Sequence, residues 1–391
     1  MNDGRVVAAG EAHRVANFPV CASGIFMAHA AVTSLPRVAS EAMCRYSEQC
    51  ASMPQEFPEV LRDIRDTRRL CADFIGAGMD EVALLGPTSL GLSLFANGID
   101  WQAGDEVVFY AGDYPANVYP WRNLERLGVV AKAIPRRLNG RIDLDDVIGL
   151  VGRRTRLVAL ASANYLSGFR PDLASIGGFL RGRGVKFAVD GIQTVGAFRM
   201  NVAEECVDLM SADAHKWMLG PMAMGIVYVS REMFELVRPT LLGAWNVQSP
   251  DFVAGESLEF VRGAQRYEPG VLNTVGMYGM AASLGLLART GSDSVENAIL
   301  EISDALGDGI TRLGFELILE RSNKRRSGIV SFRHRTKDVG ELFQFLTERR
   351  VTGSLRADGL GGRWIRLSPH FYNTVGEVEA VLDWVREWAS R

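Results

Sequence analysis

Apolar residues fall along this chain in two rhythms. Between residues 82 and 229, short continuous apolar runs alternate with stretches of helical spacing. The runs at 82–85, 107–110, 129–134, 157–161, 185–189, 207–210 and 226–229 read as strands. The stretches 90–99, 117–127, 144–151 and 173–182 read as helices. Continuous apolar runs mean burial on both faces, and alternation with helices means parallel neighbours. The expectation is an α/β fold, a mostly parallel seven-stranded sheet flanked by helices. Upstream, 26–34 is a short apolar run ending in small residues. Stretches 35–54 and 57–76 are helical, with Pro36 suited to a first turn. After about Gly276 the rhythm changes. Helices at 277–289, 294–313, 339–349 and 375–388 mix with strands at 315–319, 329–333, 364–368 and one ending near Leu355. This predicts three parts: an arm over residues 1–24 packing with the small domain, a large α/β domain over 25–275, and a smaller α+β domain over 276–391.

Composition narrows the function classes. The chain has 391 residues, 47% of them apolar, which is enough for a large core. Its 43 basic and 46 acidic residues leave a net charge of -3, with no electrostatic case for nucleic acid or an anionic membrane as partner. The densest basic run, RSNKRR at 321–326, reads as a solvated hairpin loop. Five scattered cysteines form no CxxC pair and no disulfide framework. The five histidines have no zinc-ligand spacing, so no metal is expected. A reducing, cytoplasmic setting follows from the cysteines, the lack of a secretory pattern at the start and the lack of a membrane-length apolar run.

The stretch 186–229 carries the chemistry. One apolar run ends on Asp190; the next ends near Ser211, with His215 and Lys216 in the turn beyond. Gly86-Pro87-Thr88-Ser89 precedes a helix. Ligands of open parallel sheets bind outside the carboxyl ends of the strands, so Asp190, Lys216 and Thr88 converge on one crevice. Each has an ordinary alternative: an arginine partner for Asp190, a surface role for Lys216, plain capping by Thr88 or Ser89. Together and in this order they suit pyridoxal phosphate. That cofactor needs a lysine amine for its aldehyde, a carboxylate to keep its ring nitrogen protonated, and a phosphate seat at a helix start. Gln193 stands three residues beyond Asp190, within reach of a phenolate oxygen on the same ring.

Four motifs in order resemble the pyridoxal-phosphate enzymes of fold type I, in the class V aminotransferase group. They are DYPANVYPW (113–121), DGIQTVGAF (190–198), DAHKWMLGP (213–221) and RLSPHFYNT (366–374), within a resemblance running from about Phe26 to Trp388. The resemblance implies that Lys216 is the Schiff-base lysine and proton shuttle, and that Asp190 pairs with the ring nitrogen. It places Gln193 and Asn164 near the phenolate oxygen and stacks Tyr114 on the ring face. Thr88, Ser89 and His215 lie around the phosphate. Arg366 takes the substrate α-carboxylate, a bidentate task suited to guanidinium. Ala30 and Ala31 leave room beside the substrate. His29, Arg356 and the loops 243–246 and 356–364 border its side chain. Family members are homodimers with the site at the subunit interface.

Three departures sharpen this. Asp213 stands where the family often has Ser or Thr, and a carboxylate beside a phosphate is repulsive. Gly270-Val271 lacks the hydroxyl usually offered to the partner subunit's phosphate. The 356–364 segment, RADGLGGRW, holds no cysteine, whereas persulfide-forming desulfurases of this group need a mobile thiol there. Gly359 to Gly362 then reads as a flexible tip or lid. The expected reaction is β-elimination by a C–S lyase on a cysteine or S-conjugated cysteine. Transamination, epimerisation as in isopenicillin N epimerase-like proteins, and decarboxylation-coupled deamination use the same groups. A non-catalytic relative serving as a binding protein is the alternative from another class.

Overall fold

The computed structural model describes residues 10–55 and 58–391. The expectations for residues 1–9 of the arm and for Phe57 lie outside the described residues. Seven strands form one sheet in the order Val82–Leu84, Gly225–Val229, Leu209–Asp213, Lys186–Asp190, Thr155–Ala161, Glu106–Tyr110, Val130–Ile134. Gly225–Val229 runs antiparallel to both of its neighbours, and the other pairs are parallel. Alternate residues feed two core clusters. Val108, Val158, Phe187 and Met210 enter one, with the helices Pro58–Ile75 and Leu173–Gly182. Val107, Leu157, Ala188 and Leu209 enter the other, with the helix Thr88–Gly98. Burial on both faces explains the continuous apolar runs, and each such side chain contributes roughly 1.5–3 kcal/mol.

The edge strand is held by a buried ion pair. The Arg68 guanidinium grips the Glu268 carboxylate with both outer nitrogens, and Glu268 Oε1 also accepts from the N–H of Leu84. This fixes the strand that feeds Thr88. At the far end of the chain, Ser354–Ala357, Arg363–Leu367, Val330–Arg333 and Glu316–Leu317 form an antiparallel sheet in that order. Helices Val339–Glu348 and Val375–Ser390 cover it. Ile25–Phe26 pairs in parallel with Val351–Thr352. Arg14 pairs with Glu377 at 2.9 Å, and Phe18 stacks on Tyr372 with ring centroids 3.9 Å apart. The helix Thr274–Thr290 runs across residues 275 and 276 and buries Met277, Met280 and Leu284 in the first core cluster of the large sheet.

Four local expectations change. The 117–127 helix breaks into 3-10 turns around a short α-turn, Tyr119–Arg122. Pro115 and Pro120 each lack an N–H, and Trp121 Nε1 bonds the Asn117 side chain instead. The strand expected at 207–210 starts later, at Leu209, because the chain is still turning at Cys206, whose φ is 55°, and it runs on to Asp213. The basic run is not free in solvent: Arg321 is buried, and both Arg321 and Arg326 pair with Asp304. The 358–362 connection is a tight hairpin turn in place of a loose lid. Asp358 ties it by accepting from the N–H groups of Leu360 and Gly362 and from Trp364 Nε1.

Candidate active site

A cavity of about 320 Å³ opens at the carboxyl ends of the parallel strands. Asp190, Gln193, His215, Lys216, Thr88 and Ser89 line one side of it, and Arg356 and Arg366 the other. Ala30, Ala31 and the half-exposed Tyr114 complete the wall. The structure thus brings together most of the residues singled out in the sequence.

The turn after Leu209–Asp213 sets Lys216. Ala214 bonds back to Met224 and Gly220, and the Lys216 carbonyl accepts from Leu219. Gly196, at φ +99°, lets the 190–198 segment lie against this turn; a Cβ there would meet the Trp217 carbonyl oxygen at 2.4 Å. Burial pulls the Lys216 amine down to about 8, against the opposing field of Asp190, with Arg366 and Arg356 adding to the fall. Its Nζ lies 5.6 Å from the centre of the Tyr114 ring. Asp190 is buried, and its carboxylate accepts from the Ile192 N–H at 3.1 Å. Burial raises its pKa, while that N–H and Lys216 act the other way. An arginine partner, the ordinary alternative for Asp190, does not occur among the described residues: the cation acting on it is Lys216.

Arg356 and Arg366 come from adjacent antiparallel strands paired Ser354 with Arg366 and Arg356 with Trp364. That register puts both side chains on one face. Arg366 is buried; Nη1 donates to the Tyr165 carbonyl, while Nε and Nη2 have no partner among the described residues. Asp213, also buried, leaves both carboxylate oxygens without a hydrogen bond.

Three sequence expectations are corrected. His29 does not border the cavity. It is fully buried, with Nδ1 2.8 Å from the Ser368 carbonyl and Nε2 2.8 Å from the Tyr372 hydroxyl. The backbone at Ala28 bridges Ser368, which turns His29 inward and leaves Ala30 and Ala31 facing the cavity. Asn164 does not line it either. Its Oδ1 accepts from the N–H groups of Leu166 and Ser167, and its Nδ2 donates to the Gly112 carbonyl, so it shapes the turn. The 243–246 loop stays away from the cavity, with Asn246 bonded to Leu241 and Arg266. Gln193 does line the cavity, but its Nε2 donates to the Ala30 carbonyl and its Oε1 accepts from Trp217.

Tyr165 is a cavity residue the sequence reading passed over, although it follows Asn164 directly. Its ring meets Tyr114 edge-on at 5.4 Å. Asp113 was also missed as a support. It accepts from Asn117, the Tyr114 N–H and the Ala161 N–H, and burial, then Asp190, raises it to about 7. Among the described residues, no cysteine lines the cavity.

The fold and cavity define an α/β enzyme of fold type I, with a desolvated lysine and a buried aspartate at neighbouring strand ends. A sequence model of the aminotransferase class-V family matches residues 25–381, and the chain belongs to that family. It is 26% identical over 337 residues to a probable cysteine desulfurase of Pyrococcus abyssi, covering 82% of each chain. The apo structure of a cysteine desulfurase from Thermococcus onnurineus NA1 superposes with a TM-score of 0.89 at 23% identity, over 96% of this chain and 97% of that one. The cystine C–S lyase C-DES, in complex with its product cysteine persulfide, superposes with a TM-score of 0.87 at 23% identity, over 95% and 99% of the two chains. The chain is accordingly a pyridoxal-phosphate-dependent enzyme of this family.

Proposed function

We propose that this enzyme is a C–S lyase acting on cysteine or an S-conjugated cysteine, through Lys216. The observation that carries the reading is the pairing of a desolvated Lys216 with a buried Arg366 across a cavity that holds no cysteine. The similarity to a C–S lyase and to desulfurases supports the substrate class.

The residues fit the cofactor. Asp190 is a buried carboxylate that a protonated ring nitrogen would complete. The first N–H groups of the helix Thr88–Gly98 have no partner within the helix, and the Thr88 and Ser89 hydroxyls stand beside them, which suits a phosphate. Lys216 presents an amine to an aldehyde. When bound, the cofactor supplies that aldehyde and a ring that takes up an electron pair from the substrate α-carbon.

The chain's own groups do the rest. Arg366 Nε and Nη2 bind the substrate carboxylate and so fix which bond at Cα faces Lys216. Lys216 Nζ takes the α-proton. The Cβ–S bond then breaks, its electron pair leaving on sulfur, and hydrolysis of the remainder gives pyruvate and ammonia. Tyr114 and Tyr165 form one side of the cavity, their rings edge to face. The absence of a cavity cysteine and the tied 358–362 turn oppose transfer of sulfur to an enzyme thiol. Incubation with an S-substituted cysteine in deuterated water tests the reading. Pyruvate and ammonia are expected; deuterium at Cα without breakdown, or release of carbon dioxide, would overturn it.

The working form in this proposal is a cytoplasmic homodimer with the site at its interface. Val32 and Tyr114 line the cavity yet are 48% and 46% exposed in the single chain, and Met222 and Val271 are more exposed still. All five cysteines are unpaired, which fits a reducing compartment. Among the described residues, no helix is long and apolar enough to cross a membrane.

A further inference from the structure

We propose that Asp213 and His215 act as one unit, in which the Asp213 carboxylate positions the imidazole that faces the cofactor's phosphate. The inference rests on the pyridoxal-phosphate reading above and concerns the residue that departs most from the family pattern.

Asp213 ends the strand Leu209–Asp213, and its side chain is 1% exposed. Neither carboxylate oxygen has a hydrogen-bond partner among the described residues. The strand end is bound to the start of the helix Thr88–Gly98. The Asp213 N–H donates to Thr88 Oγ1 at 2.8 Å, and Ser211 Oγ donates to the Thr88 carbonyl at 3.1 Å. A buried carboxylate therefore stands beside a helix start, where a phosphate would sit. Taken alone, it would repel that phosphate.

His215 resolves the conflict. Its Nδ1 lies 3.2 Å from Asp213 Oδ2 and has no other partner among the described residues. The distance suits a hydrogen bond, and a small rotation of the ring would bring the N–H into line. Nδ1 is the buried nitrogen, whereas the side chain as a whole is 20% exposed and lines the cavity. With Nδ1 turned to Asp213, Nε2 is the nitrogen left toward the cavity, where a phosphate would meet it. The imidazole then stands between the Asp213 carboxylate and the phosphate. Thr88 adds to this: its oxygen already accepts from Asp213, so its hydroxyl proton is free to point outward. Val271, 75% exposed and without a hydroxyl, offers nothing to a partner's phosphate. The charged neighbour to account for is Lys216, adjacent in the turn and itself within the field of Asp213.

The test compares two ligands that differ only at the phosphate. Apoenzyme is titrated with pyridoxal phosphate and with pyridoxal, following visible absorption. Asp213→Asn should weaken pyridoxal phosphate by about tenfold and leave pyridoxal within about twofold. His215→Gln should do the same, and the double variant should lose no more than either single one. Unchanged or tighter pyridoxal phosphate binding in Asp213→Asn overturns the proposal, as does an equal loss for both ligands, which would place the effect on Lys216 or on folding. Multiplying losses in the double variant also overturn it. His215→Gln alters a partly exposed residue and decides the matter even where Asp213→Asn folds poorly: an unchanged ratio of the two affinities refutes the unit. If the wild-type protein binds neither ligand, the cofactor reading itself fails.

Discussion

The cavity has two walls of different origin. One is made by the ends of parallel strands: Asp190, His215, Lys216 and the Thr88 turn, with Asp213 buried behind them. The other is made by an antiparallel hairpin, with Arg356 and Arg366, and by the irregular segment through Ala30 and Ala31. The first wall follows from topology alone, since every parallel strand delivers its end to the same side of the sheet. The second depends on hairpin register and on which of several successive residues faces inward. The largest expected effect falls on the first wall. Lys216→Ala should reduce turnover of an S-substituted cysteine by at least about 10³-fold, with loss of the visible band that borohydride reduction would otherwise bleach. Residual turnover within about tenfold of wild type would show that the strand-end wall does not carry the reaction.

The second wall is next. Arg366→Lys keeps the charge but gives up the two-pronged grip, and Nε and Nη2 are the atoms left free for it. A fall in kcat/KM of about 100-fold is expected, carried chiefly by KM, while binding of pyridoxal phosphate stays unchanged. Weakened cofactor binding instead would mean that the two walls are not separate in function.

These walls also differ in how far they could be read from residues. Apolar runs ending on Asp190 and just before Lys216 placed both groups, because continuous burial and a following turn leave few other arrangements. Arg366 was reached through the motif it begins. His29 and Asn164 were misplaced because their neighbours decide their direction. A single bridge from Ala28 to Ser368 turns His29 into the core, and the needs of a turn claim the Asn164 amide. The tie between Asp358 and the 358–362 turn is a side-chain closure that a glycine-rich sequence hides. The orphaned Asp213 was legible as an anomaly, but its neighbour at 3.2 Å was not.

Charge burial gives a third, smaller test, on the apoenzyme. The Lys216 amine is pulled down to about 8 in the folded chain from an ordinary value of 10.5. The unfolded chain holds that proton more tightly, so the amine destabilises the fold at low pH and ceases to do so above about 10.5. Lys216→Met should therefore stabilise apoenzyme at pH 7 by up to about 3 kcal/mol, with the gain shrinking as pH rises from 8 toward 10.5. Denaturant melts at several pH values would show this. A gain that grows with pH would mean that Lys216 is held by a carboxylate more than it is desolvated.

The smallest effect on turnover is expected at His29, and it separates lining the cavity from supporting it. Burial lowers this imidazole to about 4 from its ordinary 6.5, so it is neutral in the folded chain at pH 7. Its stabilising contribution is complete above pH 6.5 and is lost as pH falls toward 4, where the unfolded chain takes up a proton that the folded one refuses. His370, at 5.0 Å and also lowered by burial, adds to the same acid limb. His29→Gln keeps a polar group between Ser368 and Tyr372 but does not titrate. It should leave kcat and KM within about twofold at pH 7.5, lower stability there by about 1–2 kcal/mol for the imperfect hydrogen bonds, and flatten the loss between pH 6.5 and 4. A large rise in KM would instead put the imidazole at the substrate, as the sequence first suggested, and would require the 28–31 segment to turn over when the cavity is filled.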